Sequence, residues 1–239
     1  MAKLKVPSAQ HLARNWHETP TKVQKGLVHL VKNPPTFSYA ALFGLVRDML
    51  LFGVSREQIE HAIRTKVKRE DVRGYYLELL PLIADHFAGE LPTYVMGVDR
   101  RYYAAGRGLM VPFDPPIIYG SRTGVVFPWF SFWKSNPLAD ERLSLFVTMV
   151  REILAEDPDL EAADFQILDF SAPKGSKDRE LKIVQASDVP SLSEARKNEM
   201  LEIFAEGYFA AQAELGAEAP VADKNEAPSD PNQPSLFGR

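Results

Sequence analysis

The chain of 239 residues contains no cysteine. That removes a disulfide framework, a thiolate nucleophile and a cysteine-bound metal, and it accords with a reducing cytoplasm. Histidine is sparse: His11, His17, His29, His61 and His86 are scattered, and no pair has the spacing of a helical metal site. There is no Gly-x-Ser-x-Gly elbow and no phosphate-cradling glycine loop, since Gly106-Arg107-Gly108 is too short to count. The opening stretch Met1 to Lys5 lacks the apolar core of a signal peptide. The most apolar run, 40–54, is broken by Arg47 and Asp48 and is too short to span a bilayer. No internal repeat stands out. A cytoplasmic protein with no membrane segment, metal or cofactor is expected.

What is present is ordinary in bulk and uneven in layout. Hydrophobic residues make up 45% and charged residues 25%, as in a soluble globular chain. The net charge of −4 conceals a division. Residues 1–75 carry 13 Lys and Arg against 6 Asp and Glu, and the remainder carries 15 against 26. A basic first third suits an anionic partner such as nucleic acid; alternatively, the two parts attract each other.

The first 90 residues read as helices. Thr19 before Pro20 is an N-cap with proline in the first turn; Val23, Leu27, Leu30 and Val31 keep helical spacing until Pro34-Pro35. A run over 38–52 is apolar on nearly every side, which predicts a helix at the centre of a helical cluster, stopped by Gly53. Ser55 with Gln58 forms a capping-box pattern, and Ile59, Ala62 and Ile63 supply the buried face of the next helix. A further helix over 72–87 turns Leu77, Leu80, Ile83 and Ala84 inward, with a kink at Pro81. Residues 89–108 read as irregular connection.

Strand signals then take over. Val111 to Phe113, Ile117 to Gly120, Gly124 to Trp133, Phe165 to Phe170 and Leu181 to Val184 are short β-branched or aromatic runs bounded by Gly, Pro and Ser. Between them a helix over 138–155 keeps Leu143, Phe146, Val147, Val150 and Leu154 on one face. Ser193 caps a last helix through Leu215, with Met200, Ile203, Phe204, Tyr208 and Ala211 inward. The expected fold is α+β: an N-terminal helical cluster, then one antiparallel sheet in the order β-β-α-β-β-α with its helices on one face. The expected units are a basic helical part over 1–90, an α+β domain over 109–216 and a disordered tail over 217–239, whose stretch to Pro231 is too polar to offset chain entropy. The cluster from Trp129 to Trp133 offers base stacking or, on composition, buried core.

Three motifs carry functional content. The chain ends in Gln233-Pro234-Ser235-Leu236-Phe237-Gly238-Arg239. This resembles the peptide by which bacterial replication and repair proteins dock on the β sliding clamp: Gln, any residue, Ser or Asp, Leu, Phe. Gln233, Ser235, Leu236 and Phe237 match, while Pro234 stands where leucine is frequent. The resemblance implies that Leu236 and Phe237 fill an apolar cleft and that Gln233 supplies an amide for hydrogen bonds. Second, a helix, a glycine turn at Gly53 and a capped helix resemble the DNA-binding helix-turn-helix. In that reading Arg56, Gln58 and Arg64 face the groove, and Lys66, Lys68 and Arg69 meet phosphates. A helical pair with no DNA role is the bland reading of the same residues.

Third, Asp169 followed on the next strand by Glu180-Leu181-Lys182 resembles the PD-(D/E)xK nucleases. That implies metal binding by Asp169 and Glu180 and orientation of a water by Lys182. The nearest Pro-Asp pair, Pro158-Asp159, lies outside that pattern in the preceding loop, and an exposed charged hairpin is the bland reading of the same residues. The expected function is a non-enzymatic DNA replication or repair accessory protein recruited to the sliding clamp. A metal-dependent nuclease and a protein-interaction module unrelated to DNA are the alternatives.

Overall fold

The structure, a computed structural model, describes residues 4–217 apart from 37, 91 and 116. Its first half holds α1 (Ala9–Asn15), α2 (Pro20–Lys32), α3 (Ala40–Phe52), α4 (Arg56–Lys66) and α5 (Glu70–His86). Strands β1 (Val95–Met96), β2 (Arg101–Ala104), β3 (Met110–Phe113), β4 (Ile118–Ser121) and β5 (Gly124–Ser131) follow. Then come α6 (Asp140–Ala155), β6 (Asp164–Asp169), β7 (Lys182–Gln185) and α7 (Glu194–Ala217).

Local signals set many boundaries. Thr19 precedes Pro20 in the first turn of α2. Gly53 ends α3 with φ of 61°, the left-handed conformation glycine adopts without a Cβ penalty. Ser55 and Gln58 form the full capping box of α4: Oγ of Ser55 accepts from the Gln58 amide, and Oε1 of Gln58 accepts from the Ser55 amide at 2.9 Å. Oγ of Ser193 accepts from the Arg196 amide at the start of α7. Helix α5 runs unbroken through Pro81.

The molecule is mixed α and β, and the sheet departs from the antiparallel expectation. Five strands lie in the order β1-β4-β5-β6-β7. The β4–β5 and β6–β7 pairs are antiparallel, but β5 and β6 run parallel from Val126↔Asp164 to Ser131↔Asp169. The cause is α6: a strand, a helix and the next neighbouring strand return the chain in the same direction. Residues 89–108 are not purely irregular, because they contain β1 and β2. Strand β3 pairs with β2 in a separate two-stranded ribbon. Its turn, Gly106-Arg107-Gly108, holds three successive positive φ angles of 86°, 46° and 75°.

Both faces of the sheet are covered. On one side Phe127 and Trp129 of β5 and Phe165 and Ile167 of β6 pack with α1, α2, α6, α7 and the β2–β3 ribbon. On the other, Val126, Phe130, Leu168 and Phe170 pack with α3, α4 and α5. So α6 and α7 share a face, but helices are not confined to it. This explains why β5 is an unbroken apolar run: a strand buried on both sides has no polar face to alternate with. Trp129, Phe130 and Phe132 are core residues. Helix α3 corrects a second expectation. It is peripheral, burying Leu42, Val46 and Leu50 while Leu51 and Phe52 are exposed.

Candidate functional site

Helix α4 and the turn after it place the six residues of the DNA-binding reading. Arg56 lies 4.0 Å from Asp85 of α5, and both are exposed. Arg64 donates to Oε1 of Glu60 at 2.8 and 2.9 Å, a pairing one helical turn apart. Arg69 donates to Oδ2 of Asp71 at 2.6 Å and to the Thr36 carbonyl at 2.7 Å, so it ties the loop before α3 to the start of α5. Gln58 spends its carbonyl oxygen on the cap and is not free to read a base with a full amide. Lys66 and Lys68 are exposed, with no partner among the described residues.

The second cluster lies at the carboxyl ends of β5 and β6. Asp169 faces Ser131 across one pairing and Lys182 across the other. The Glu180 amide donates to the Ser171 carbonyl at 3.2 Å and prolongs the β6–β7 pairing. Strand periodicity therefore sets Asp169, Glu180 and Lys182 on one side of the hairpin. Their surroundings differ. Asp169 is 4% exposed, and its two oxygens accept from the Ser171 amide at 3.1 Å and the Ser171 hydroxyl at 3.2 Å. Burial raises its carboxyl pKa, against the pull of the serine hydrogen bonds and the Lys182 charge. Glu180 and Lys182 are exposed. A hard cation needs accessible carboxylate oxygens and open positions for water, which a closed Asp169 does not offer. Among the described residues no group of three or more His, Asp or Glu could hold a metal ion.

Two buried cations had no signal in the sequence pattern. The Arg179 side chain is 1% exposed. Its Nη1 donates to the carbonyls of Phe132 at 3.0 Å, Trp133 at 3.2 Å and Phe170 at 3.1 Å. Its Nε lies 3.2 Å from Glu78, close enough for attraction but not aligned for a hydrogen bond. Lys197 of α7 donates to both oxygens of Glu152 at 2.8 and 3.0 Å and to Glu194 at 2.8 Å, while the Tyr103 hydroxyl donates to Glu152 at 2.6 Å. Burial disfavours the ammonium, but the two carboxylates outweigh it and hold its pKa above the usual lysine range. Both groups join elements; neither opens onto a cleft.

A shallow depression of about 350 Å³ lies at the start of α6, lined by Trp16, Asn136, Pro137 and 139–142. Arg196 covers the Trp16 ring at 5.4 Å and pairs with Glu141, so this rim carboxylate is already engaged. No helix among the described residues is long and apolar enough to cross a membrane. The clamp-type peptide, Gln233, Ser235, Leu236 and Phe237, lies outside the described residues, as does the stretch read as a disordered tail beyond Ala217. No protein-family model and no curated protein matches this chain.

Proposed function

We propose that the protein is a non-enzymatic accessory factor of bacterial DNA replication or repair, recruited to the β sliding clamp by its C-terminal peptide. The observation that carries this reading is the ending Gln233-Pro234-Ser235-Leu236-Phe237 after a stretch of Ala, Pro, Glu, Asp and Asn. A short apolar pair on a tether gains by local concentration what it lacks in contact area. Pro234 reduces the chain entropy lost on docking. DNA contact in this reading falls to Lys66 and Lys68, with Arg56 as a weaker contributor.

Binding to purified clamp tests the proposal directly. The intact chain binds, and Leu236→Ala with Phe237→Ala weakens binding at least tenfold; equal binding by both overturns the reading. Incubation with DNA and Mg²⁺ or Mn²⁺ tests its non-enzymatic part. Cleavage that disappears in Glu180→Ala would replace recruitment with nuclease chemistry. Indifference to both clamp and DNA would leave a protein-interaction module.

A further inference from the structure

We propose that the exposed face of α3 is a self-association surface, pairing antiparallel with the same face of a second copy of this chain. Helix α3 buries one side only: Leu42 and Val46 are 1% exposed and Leu50 9%. The opposite side presents Ala41, Gly44, Asp48 and Leu51, spaced three, four and three apart, with Phe52 and Arg47 at its margins; all six are exposed. Phe52 is 74% exposed, the largest value among the described large apolar side chains. A Cβ built on Gly44 would meet nothing within 4 Å among the described residues.

The distribution of residues along the helix identifies the occupant. A three-four-three repeat is the spacing of a seam between two helices. Small residues, Ala41 and Gly44, occupy its first half and large ones, Leu51 and Phe52, its last. An antiparallel pair sets each large end over the small end of the other copy. The two-fold axis then falls beside Arg47 and Asp48, so Arg47 of each copy meets Asp48 of the other, giving two ion pairs from one symmetric contact. Neither side chain has a partner among the described residues of its own chain. A parallel pair would set Asp48 against Asp48 and bulk against bulk. Size and charge therefore select the same orientation. A helix of 13 residues spans about 20 Å, a small contact by the standard of stable interfaces. The pairing is a reversible dimer in the micromolar range.

Sedimentation of the full chain over about 1 to 500 µM tests this, since a reversible dimer follows mass action. The mass should rise from the 26.8 kDa monomer towards twice that value. Phe52→Asp should weaken association at least tenfold with helix content unchanged. Asp48→Arg should do the same, and adding Arg47→Asp to it should restore pairing. Because the chain has no cysteine, an oxidised equimolar mixture of Gly44→Cys and Leu51→Cys chains should give mixed cross-linked dimers in preference to like pairs. A monomer at every concentration, a dimer indifferent to Phe52→Asp, a charge swap that fails to restore pairing, or like pairs in place of mixed ones overturns the proposal.

Discussion

Arg179 joins the ends of β5 and β6 to α5 through one guanidinium, which makes it a structural rather than a surface charge. Replacing it with methionine fills the space but strands three carbonyls and Glu78. The expected loss is about 3 kcal/mol or more in urea unfolding, with Arg179→Lys intermediate because one ammonium cannot span the same acceptors. Nothing nearby announces this role: Arg179 sits in a polar stretch with Lys177, Asp178 and Glu180. Its burial is imposed by carbonyls remote in sequence. His11 gives a second residue-scale prediction. Burial, then the charge of Arg14, lowers its pKa from 6.5 to about 4. The folded state thus binds a proton less readily than the unfolded chain, and stability falls as pH drops from about 6.5 to about 4, by roughly 3 kcal/mol. His17 and His86, also lowered by burial, act in the same direction. Asp169, whose pKa is raised, opposes them at the acid end. Phenylalanine at position 11 keeps the edge contact with Trp133 but cannot titrate, so His11→Phe should remove most of the acid sensitivity measured by thermal melts.

At the scale of elements, α7 packs against α2 at Gly207. A Cβ there would lie 2.6 Å from the Pro20 carbonyl and from Cβ of Val23. Gly207→Ala should destabilise the protein by about 2 kcal/mol, the overpacking outweighing the improved helix propensity. Gly216→Ala, in the same helix where a Cβ meets nothing within 4 Å among the described residues, should be neutral or slightly stabilising. Helix positions were legible because their signals are local: Thr19 and Pro20, Gly53, Ser55 with Gln58, and Ser193. Strand partners were not. The parallel pairing of β5 with β6 depends on where α6 returns the chain, and β2 escaped because Arg101 to Ala104 is never fully buried and gains its place only by pairing with β3. Of the proposed DNA-contacting residues, Arg56, Gln58, Arg64 and Lys66 lie on α4 and Lys68 and Arg69 in the turn after it, and the carbonyl oxygen of Gln58 is engaged by its own capping box. DNA affinity supplies the corresponding test. Each of Lys66→Ala and Lys68→Ala should lower the slope of log affinity against log salt by about 0.9.

Across the whole molecule, one sheet separates two cores, and the helices of the first 90 residues divide between them. The charge asymmetry and the irregular connection over 89–108 suggest a separate helical part, and the sheet shared by the two cores leads to a prediction of joint unfolding. Leu79→Ala on one side and Phe204→Ala on the other should each lower a single calorimetric transition, by about 2–5 kcal/mol. The proposed clamp-type motif is read in the opposite way to the core, because Gln233, Ser235, Leu236 and Phe237 match a short pattern that involves no tertiary neighbours. The crossover between β5 and β6 has one more consequence, which concerns biosynthesis. As the nascent chain leaves the ribosome, Gly124 to Ser131 can add to β4 at once, but its other margin stays unsatisfied until residues 132–163 have been translated and Asp164 to Asp169 emerges. The most apolar strand therefore keeps one margin open throughout that interval, and this is when ribosome-associated chaperones should engage the growing polypeptide.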